Sequence, residues 1–181
     1  MKYYITTFPG VEGIAEDEIS SKWPSVKLGG ILKSKNNSLV FFESKDDGIN
    51  FLNIKTAEDL YVFLGEVKLF NHINDLKEIK KTIREAKNFE LALALHRRIY
   101  KKNFKVATFR VVAQSNSDYK NYRRVDAQKV AESGINERYN HRWRIVEDDS
   151  HIEIWLHLLN RIPRSSAPGL HPEPMVYWNH G

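Results

Sequence analysis

The 181-residue sequence contains no cysteine, so disulfide bonds, thiolate metal sites and a cysteine nucleophile are excluded. It also lacks any apolar run near the ~20 residues that a membrane helix requires. The N-terminal segment MKYYITTFPG has none of the sections of a signal peptide. We therefore expect a cytoplasmic protein that makes no membrane contact.

Motifs for catalysis and cofactor binding are scarce as well. The seven histidines do not have the spacing of a metal site, because His151 and His157, which share a predicted strand face, lie too far apart to chelate one ion readily. No serine is accompanied by an evident base, and Gly29-Gly30 lacks the spacing of a glycine-rich cofactor loop. The sequence therefore predicts no catalytic residue, no metal and no cofactor in this chain.

What the sequence does contain is a packed core and an uneven distribution of charge. Apolar residues make up 41% of the chain, which is enough for one medium domain or two small ones. Residues 1–95 hold 13 Lys and Arg against 14 Asp and Glu, whereas residues 96–181 hold 15 against 9. A basic excess of this kind attracts a phosphate backbone, although a solvated basic face with no partner explains the charge equally well.

The first 69 residues predict a β-α-β-β-α-β order, the ferredoxin-like arrangement. KYYITTF is typical of a strand and ends at Pro9-Gly10, and VEGIAEDEISSKW places Ile14, Ala15 and Ile19 at helical spacing. VKLGGILKS and SLVFFES predict two strands joined by a turn, and KDDGINFLNI predicts a short second helix. AEDLYVFLGEVKLF favours the closing strand.

A second unit is predicted from residue 70. DLKEIKKTIREA carries one apolar helical stripe, NFELALALHRRIYKK is a second helix, KVATFRVVAQ is a central strand, and YRRVDAQKVAESGINERY is a basic helix. The last strand alternates Ile152, Ile154, Leu156 and Leu158 with more polar residues, which predicts one buried and one partly wet side. Glu147-Asp148-Asp149 resembles a hairpin turn before it.

The predicted fold class is thus α+β. We divide the chain into an N-terminal ferredoxin-like domain (1–69), an α/β domain (70–160) and a Pro-rich linker or tail (161–181), whose prolines predict irregular structure.

Three segments in order resemble a known family: TTFPGVEGIAEDEI, TFRVVAQSNSDYKNYRRVDAQKVAESGINERY and WRIVEDDSHIEIWLHL. They are similar to the N-terminal region of THUMP-containing tRNA guanosine methyltransferases. The resemblance implies that residues 70–160 form a THUMP domain. It also implies a tRNA partner, bound through the acceptor stem and the single-stranded 3′ end.

In the methyltransferases of this family a Rossmann-like domain follows and binds S-adenosylmethionine. This chain carries neither the glycine-rich loop nor the Asn/Asp-Pro-Pro-aromatic motif of that domain. The resemblance therefore implies that catalysis comes from a methyltransferase domain in cis or from a catalytic subunit in trans. By itself the chain is expected to bind RNA without modifying it.

The candidate RNA-binding residues surround the central strand and the start of the basic helix. Arginine and lysine would take phosphate oxygens, and a tyrosine would stack on an unpaired base. The phosphate candidates are Lys105, Arg110, Lys120, Arg123 and Arg124, the stacking candidates are Tyr119 and Tyr122, and a second basic set is Arg97, Arg98, Lys101 and Lys102. The simpler alternatives are tyrosines that only cover the domain edge and cations that complement a helix C-terminus.

Two other functions stay open from the sequence. The chain is either a standalone adaptor that delivers RNA to a separate enzyme, or a protein-interaction module that binds no RNA. An exposed apolar patch that includes residues 175–178 would favour the adaptor. The salt dependence of binding distinguishes an RNA-binding function from a protein-interaction module. RNA affinity falls steeply with ionic strength, whereas the affinity of an apolar protein interface is much less sensitive.

Overall fold

The computed structural model describes residues 1–33, 36–46, 48–101, 104, 106–115 and 121–158, together with the backbone of 175–179. Within these residues the chain forms eight strands and four α-helices. The strands are β1 (Lys2–Thr7), β2 (Lys27–Lys33), β3 (Ser38–Glu43), β4 (Asp59–Glu66), β5 (Thr108–Ser115), β6 (Arg144–Ile145), β7 (Ile152–Leu158) and β8 (Met175–Asn179). The helices are α1 (Glu12–Lys22), α2 (Asp75–Glu85), α3 (Phe89–Tyr100) and α4 (Arg124–Arg138).

The first unit has the predicted β-α-β-β-α-β order, with one difference in its second helix. β1 lies between β3 and β4 and is antiparallel to both, and β2 pairs antiparallel with β3. The second helix is a six-residue 3₁₀ helix, Gly48–Asn53. A Cβ at Gly48, the first residue of this helix, would lie 2.5 Å from Leu95 Cδ2 and 2.8 Å from the Tyr3 hydroxyl oxygen, so a larger residue there would force both buried side chains to move.

All eight strands belong to one sheet, in the order β2-β3-β1-β4-β8-β7-β5-β6. The helices pack on one face of it, where alternate strand residues such as Ile5, Val62 and Val111 are buried against helix residues such as Ala15 and Ile79. Each fully buried aliphatic side chain contributes roughly 2 kcal/mol to stability, so this shared core is the main stabilising feature. The boundary between residues 69 and 70 stays a prediction.

The prediction of an irregular segment after residue 160 is wrong for residues 175–179. β8 pairs antiparallel with β4 on one side and with β7 on the other, so it joins the strands of the two units. The prolines of the segment end at Pro174, and the strand-forming run MVYW follows immediately. The rest of the segment, 159–174, lies outside the described residues.

The predicted hairpin turn at Glu147-Asp148-Asp149 is also wrong. β6 and β7 do not pair with each other; they lie on opposite sides of β5, and each is parallel to it. The connection therefore passes from one side of β5 to the other. It is held to the start of β5 by two hydrogen bonds, one donated by Thr108 N–H to His151 Nδ1 and one donated by His151 N–H to the Thr108 hydroxyl.

The sheet face opposite the helices carries a second, aromatic cluster. Tyr4 stacks on Tyr61 with ring centroids 4.4 Å apart, and Phe41 and Phe63 pack beside them. His157 lies at the edge of this cluster, 3% exposed, with its Nε2 3.4 Å from the Tyr4 hydroxyl oxygen. The side of β7 predicted to be partly exposed is therefore buried at His157, although it is partly exposed at Trp155 and Glu153. Burial lowers the pKa of His157 from 6.5 to about 4.

This buried histidine predicts a pH-dependent stability. In the unfolded chain His157 becomes protonated as the pH falls below 6.5, whereas in the folded chain it stays neutral down to about pH 4. The free energy of unfolding therefore decreases as the pH falls from 6.5 to about 4. We expect His157→Gln, which cannot titrate, to remove about 3 kcal/mol of the loss between pH 7 and pH 4. Urea unfolding at several pH values measures it, and parallel curves for the two proteins would contradict the assignment.

Candidate nucleic-acid interface

The start of α4 is fixed by its own charges and by a tie to β5. The Asp126 carboxylate accepts hydrogen bonds from the Arg123 backbone N–H (2.8 Å) and from its guanidinium (3.1 and 3.2 Å). This pairing holds the pKa of Asp126 below its usual range. Arg124 Nη1 donates to the Ala113 carbonyl oxygen at 2.6 Å, which connects the helix start to the end of β5. Arg123 remains 77% exposed, so its charge faces solvent beside that strand end.

The prediction that Tyr122 stacks on a base is corrected by its burial. Tyr122 is only 4% exposed, and its hydroxyl donates to Asp75 Oδ2 at 3.1 Å. The ring therefore packs between α4 and α2 and presents no face to a ligand. The alternative reading of this tyrosine, a residue that covers the domain edge, is the one that the structure supports.

Asp75 organises the loop between β4 and α2. Its carboxylate, itself 3% exposed, accepts hydrogen bonds from Phe70 N–H (3.0 and 3.1 Å) and from His72 N–H (3.1 Å) as well as from Tyr122. Asn121 adds a second connection, because its side-chain amide donates to the Asn71 carbonyl oxygen. The loop is thereby held against the start of α4.

This well-anchored loop exposes two large apolar side chains. Phe70 is 69% exposed and Ile73 is 53% exposed, and Lys68 Nζ lies 5.2 Å from the centroid of the Phe70 ring. Two exposed large apolar side chains on one anchored loop make this loop a candidate binding surface. We call the following set the junction surface: Lys68, Phe70, Ile73, Asn121, Arg123 and Arg124. The sequence pattern did not single out Phe70, because its exposure follows from the hydrogen bonds of Asp75.

Arg110 lies on the opposite sheet face from the helices and is engaged by acids. It forms an ion pair with Glu153, its register partner on β7, and its Nη1 donates to the Glu147 carbonyl oxygen at 3.2 Å. Asp148 is 3.9 Å away. A phosphate would have to displace these oxygens, so Arg110 is a weaker candidate than Arg123.

The second basic set lies in the last turn of α3 and directly after it. Arg97 is exposed and lines a hollow of about 40 Å³ with apolar and aromatic neighbours, and Lys101 caps the helix with a left-handed backbone (φ 51°). The hollow is lined by Leu93, His96, Arg97, Phe104, Ala107, Trp143 and Ile152. Lys102, Lys105, Tyr119 and Lys120 lie outside the described residues. The structure thus brings Arg123 and Arg124 together and places Arg97 and Lys101 elsewhere.

Two other features are not found among the described residues. No group of three histidine or acidic side chains there is close enough to hold a metal ion. No helix among those residues is both long and apolar enough to cross a bilayer.

Comparison with solved structures identifies the fold. TrmN from Thermus thermophilus superposes with a TM-score of 0.67 over 98% of this chain and 45% of its own, at 13% identity. A 4-thiouridine synthetase, solved with RNA and ATP, superposes with a TM-score of 0.58 over 99% of this chain and 41% of its own, at 12% identity. SMU.472, named as a candidate methyltransferase and solved with SAH, also gives 0.58, over 98% and 41%, at 12% identity.

The fold class is confirmed. It is α+β, with a ferredoxin-like unit followed by a THUMP-type α/β unit. The chain spans less than half the length of these three structures. No family model and no curated protein matches the sequence. At 12 to 13% identity the likeness concerns the fold alone.

Proposed function

We propose that this chain is an RNA-binding module of a tRNA-modifying enzyme, and that it binds tRNA through the acceptor stem and the single-stranded 3′ end. The junction surface carries the proposal. It places an exposed aromatic ring on the loop that Asn121 and Tyr122 hold against the start of α4, where the exposed Arg123 lies. Unpaired RNA ends are held by a combination of stacking and charge. The fold it shares with a synthetase solved in complex with RNA supports the same ligand.

Three side chains of the junction surface have distinct roles in this proposal. Arg123 uses two of its nitrogen atoms on Asp126, and its guanidinium has further N–H donors for a phosphate. Phe70 offers its exposed ring to a base, and Lys68 keeps a positive charge next to that ring. Phosphate contacts fix the orientation of the RNA, while stacking holds its unpaired end.

The modification chemistry belongs to a further domain or subunit in this account. The sequence resemblance favours a guanosine methyltransferase, which would supply S-adenosylmethionine binding from that domain. The present chain would then bind the tRNA and set the distance from its end to the modified nucleotide. Turnover or S-adenosylmethionine binding by the isolated chain would contradict this division of roles.

A double variant of the junction surface tests the proposal. We expect Phe70→Ala/Arg123→Ala to bind intact tRNA at least about tenfold more weakly, since a stacked base alone contributes ~1–3 kcal/mol. Removal of the single-stranded 3′ end should weaken the wild type and have little further effect on the variant. Fluorescence anisotropy with labelled tRNA measures both.

The matched control is Phe8→Ala/Arg84→Ala. Phe8 is 65% exposed, close to the value for Phe70, and Arg84 is an exposed arginine paired with acids, as Arg123 is. The control should bind tRNA like the wild type. Equal affinity of the junction variant and this control would show that the junction surface does not contact the RNA.

A further inference from the structure

A second cationic surface lies at the far end of β5 from the junction surface. Arg142 and Arg144 are exposed and flank Trp143 in the segment that leads into the edge strand β6. Trp143 and Arg97 line the same hollow. Among the described residues no carboxylate lies within ion-pair distance of these three arginines, in contrast to Arg110 and Arg123. We call Arg97, Arg142, Trp143 and Arg144 the α3–β6 surface.

The tryptophan in this surface is held rigidly. Its ring stacks on Tyr139 with centroids 3.9 Å apart and planes within 1°, and it meets Phe89 and Phe109 at 6.1 Å. The backbone is fixed as well, because Arg144 N–H donates to the Ala107 carbonyl oxygen at 3.0 Å. The two flanking arginines are therefore displayed from an ordered segment, which lowers the entropic cost of binding an anion there.

The distance between the two surfaces follows from the elements that connect them. β5 has eight residues, which span about 23 Å at the usual rise of a strand. α4 has 15 residues, about 22 Å, and leads from the junction surface back to Tyr139 and the α3–β6 surface. The two estimates agree, so an RNA that reaches both surfaces must extend over several nucleotides.

Acids limit the direction from which an anion can approach. Glu147, Asp148 and Asp149 follow β6. On the sheet face without helices, Arg110 donates to the Glu147 carbonyl oxygen and lies 3.9 Å from the Asp148 carboxylate. The cations Arg97 and Lys101 lie at the end of α3, on the helix side. On the helix side the acid Glu90 contacts Tyr139 and is paired with Arg138. An anion therefore approaches the α3–β6 surface most favourably from the end of α3, where Arg97 and Lys101 lie.

We propose that the α3–β6 surface binds the phosphate backbone of the same RNA that the junction surface holds by its end. The inference rests on the proposed function and adds a second contact with different residues. The occupant is an RNA strand rather than an acidic protein because the other cationic and aromatic surface lies one strand length away on the same chain. Arg97, Arg142 and Arg144 each contact a phosphate.

The test is Arg142→Ala/Arg144→Ala with a series of hairpin RNAs that share one single-stranded 3′ end and differ in stem length. We expect the wild type to gain affinity once the stem reaches the second surface, and the variant to lack that gain. For the long stems only, the slope of log K against log salt should fall by about 2. Lys77→Ala/Lys81→Ala on α2 removes the same charge from exposed positions and should leave both quantities unchanged.

Each possible result decides one claim. Unchanged affinity and slope of the variant for long stems would overturn the second contact, while the RNA-binding proposal would stand on the wild-type data. An equal loss for the shortest and longest stems would also overturn it, since the effect would then be independent of reach. Polyglutamate can be added as a competitor of the RNA. If it displaces long-stem RNA from the wild type as effectively as unlabelled RNA does, and not from the variant, the α3–β6 surface binds acidic proteins instead. If the wild-type chain binds none of the hairpins at low salt, the proposed function itself is contradicted.

Discussion

Asp75→Ala is expected to lower the free energy of unfolding by about 3 kcal/mol. The substitution leaves the Phe70 and His72 backbone N–H groups and the Tyr122 hydroxyl without their acceptor in a site that is 3% exposed. Each buried donor without an acceptor costs ~1–3 kcal/mol, although the loop can move partly into water. Because the carboxylate also holds the loop in place, RNA affinity should fall in the folded fraction.

Two further variants separate this role from a simple charge effect. Asp75→Asn keeps one acceptor oxygen and should cost less, about 1 kcal/mol. Asp17→Ala removes an exposed acid of α1 and should change stability by less than about 0.5 kcal/mol. Urea unfolding measures all three, and equal stabilities of Asp75→Ala and Asp17→Ala would contradict the role of Asp75.

Gly134→Ala is the second large effect, about 2 kcal/mol of destabilisation. A Cβ at this position of α4 would lie 2.7 Å from the Lys80 carbonyl oxygen, which belongs to the backbone of α2 and cannot rotate away. The two helices would have to separate, and overpacking of this kind outweighs the better helix propensity of alanine.

Gly13→Ala in α1 is the matched control, because a Cβ there meets nothing within 4 Å. This exchange should raise stability by about 0.5 kcal/mol through helix propensity alone. Thermal and urea unfolding of both variants give the comparison. If Gly134→Ala is as stable as Gly13→Ala, the close approach of α2 and α4 is not tight.

The order of elements along the first unit and the helical stripe of α2 could be predicted, because both follow from local sequence periodicity. The α2 stripe is an example, since Ile79 and Ile83 are both fully buried as the spacing required. In α1 the helical spacing does not predict burial, because Ile14 is 61% exposed whereas Glu12 is 4% exposed. Glu12 is buried because Ser38 and the Gly10 N–H bond its carboxylate, which lowers its pKa to about 2, and neither partner is visible in the helix pattern.

The site could be predicted less well, because it depends on contacts between distant segments. Lists of cations cannot show that Arg110 meets Glu153 across two strands or that Tyr122 turns inward to Asp75. The exposed Phe70 was missed for the same reason, since a phenylalanine next to a strand is usually assigned to the core. The exposure of a side chain can be predicted where it depends on residues close in sequence. Where it depends on hydrogen bonds between distant segments, the structure is needed.

The central claim is that this chain by itself binds RNA by charge and stacking. Its most direct test is the affinity of the purified chain for an intact tRNA across a salt series. We expect binding at low salt, with log K falling linearly and steeply as log salt rises, because contacts with several phosphates release counterions. No binding at low salt, or an affinity that hardly changes with salt, would contradict it and favour a protein-interaction module.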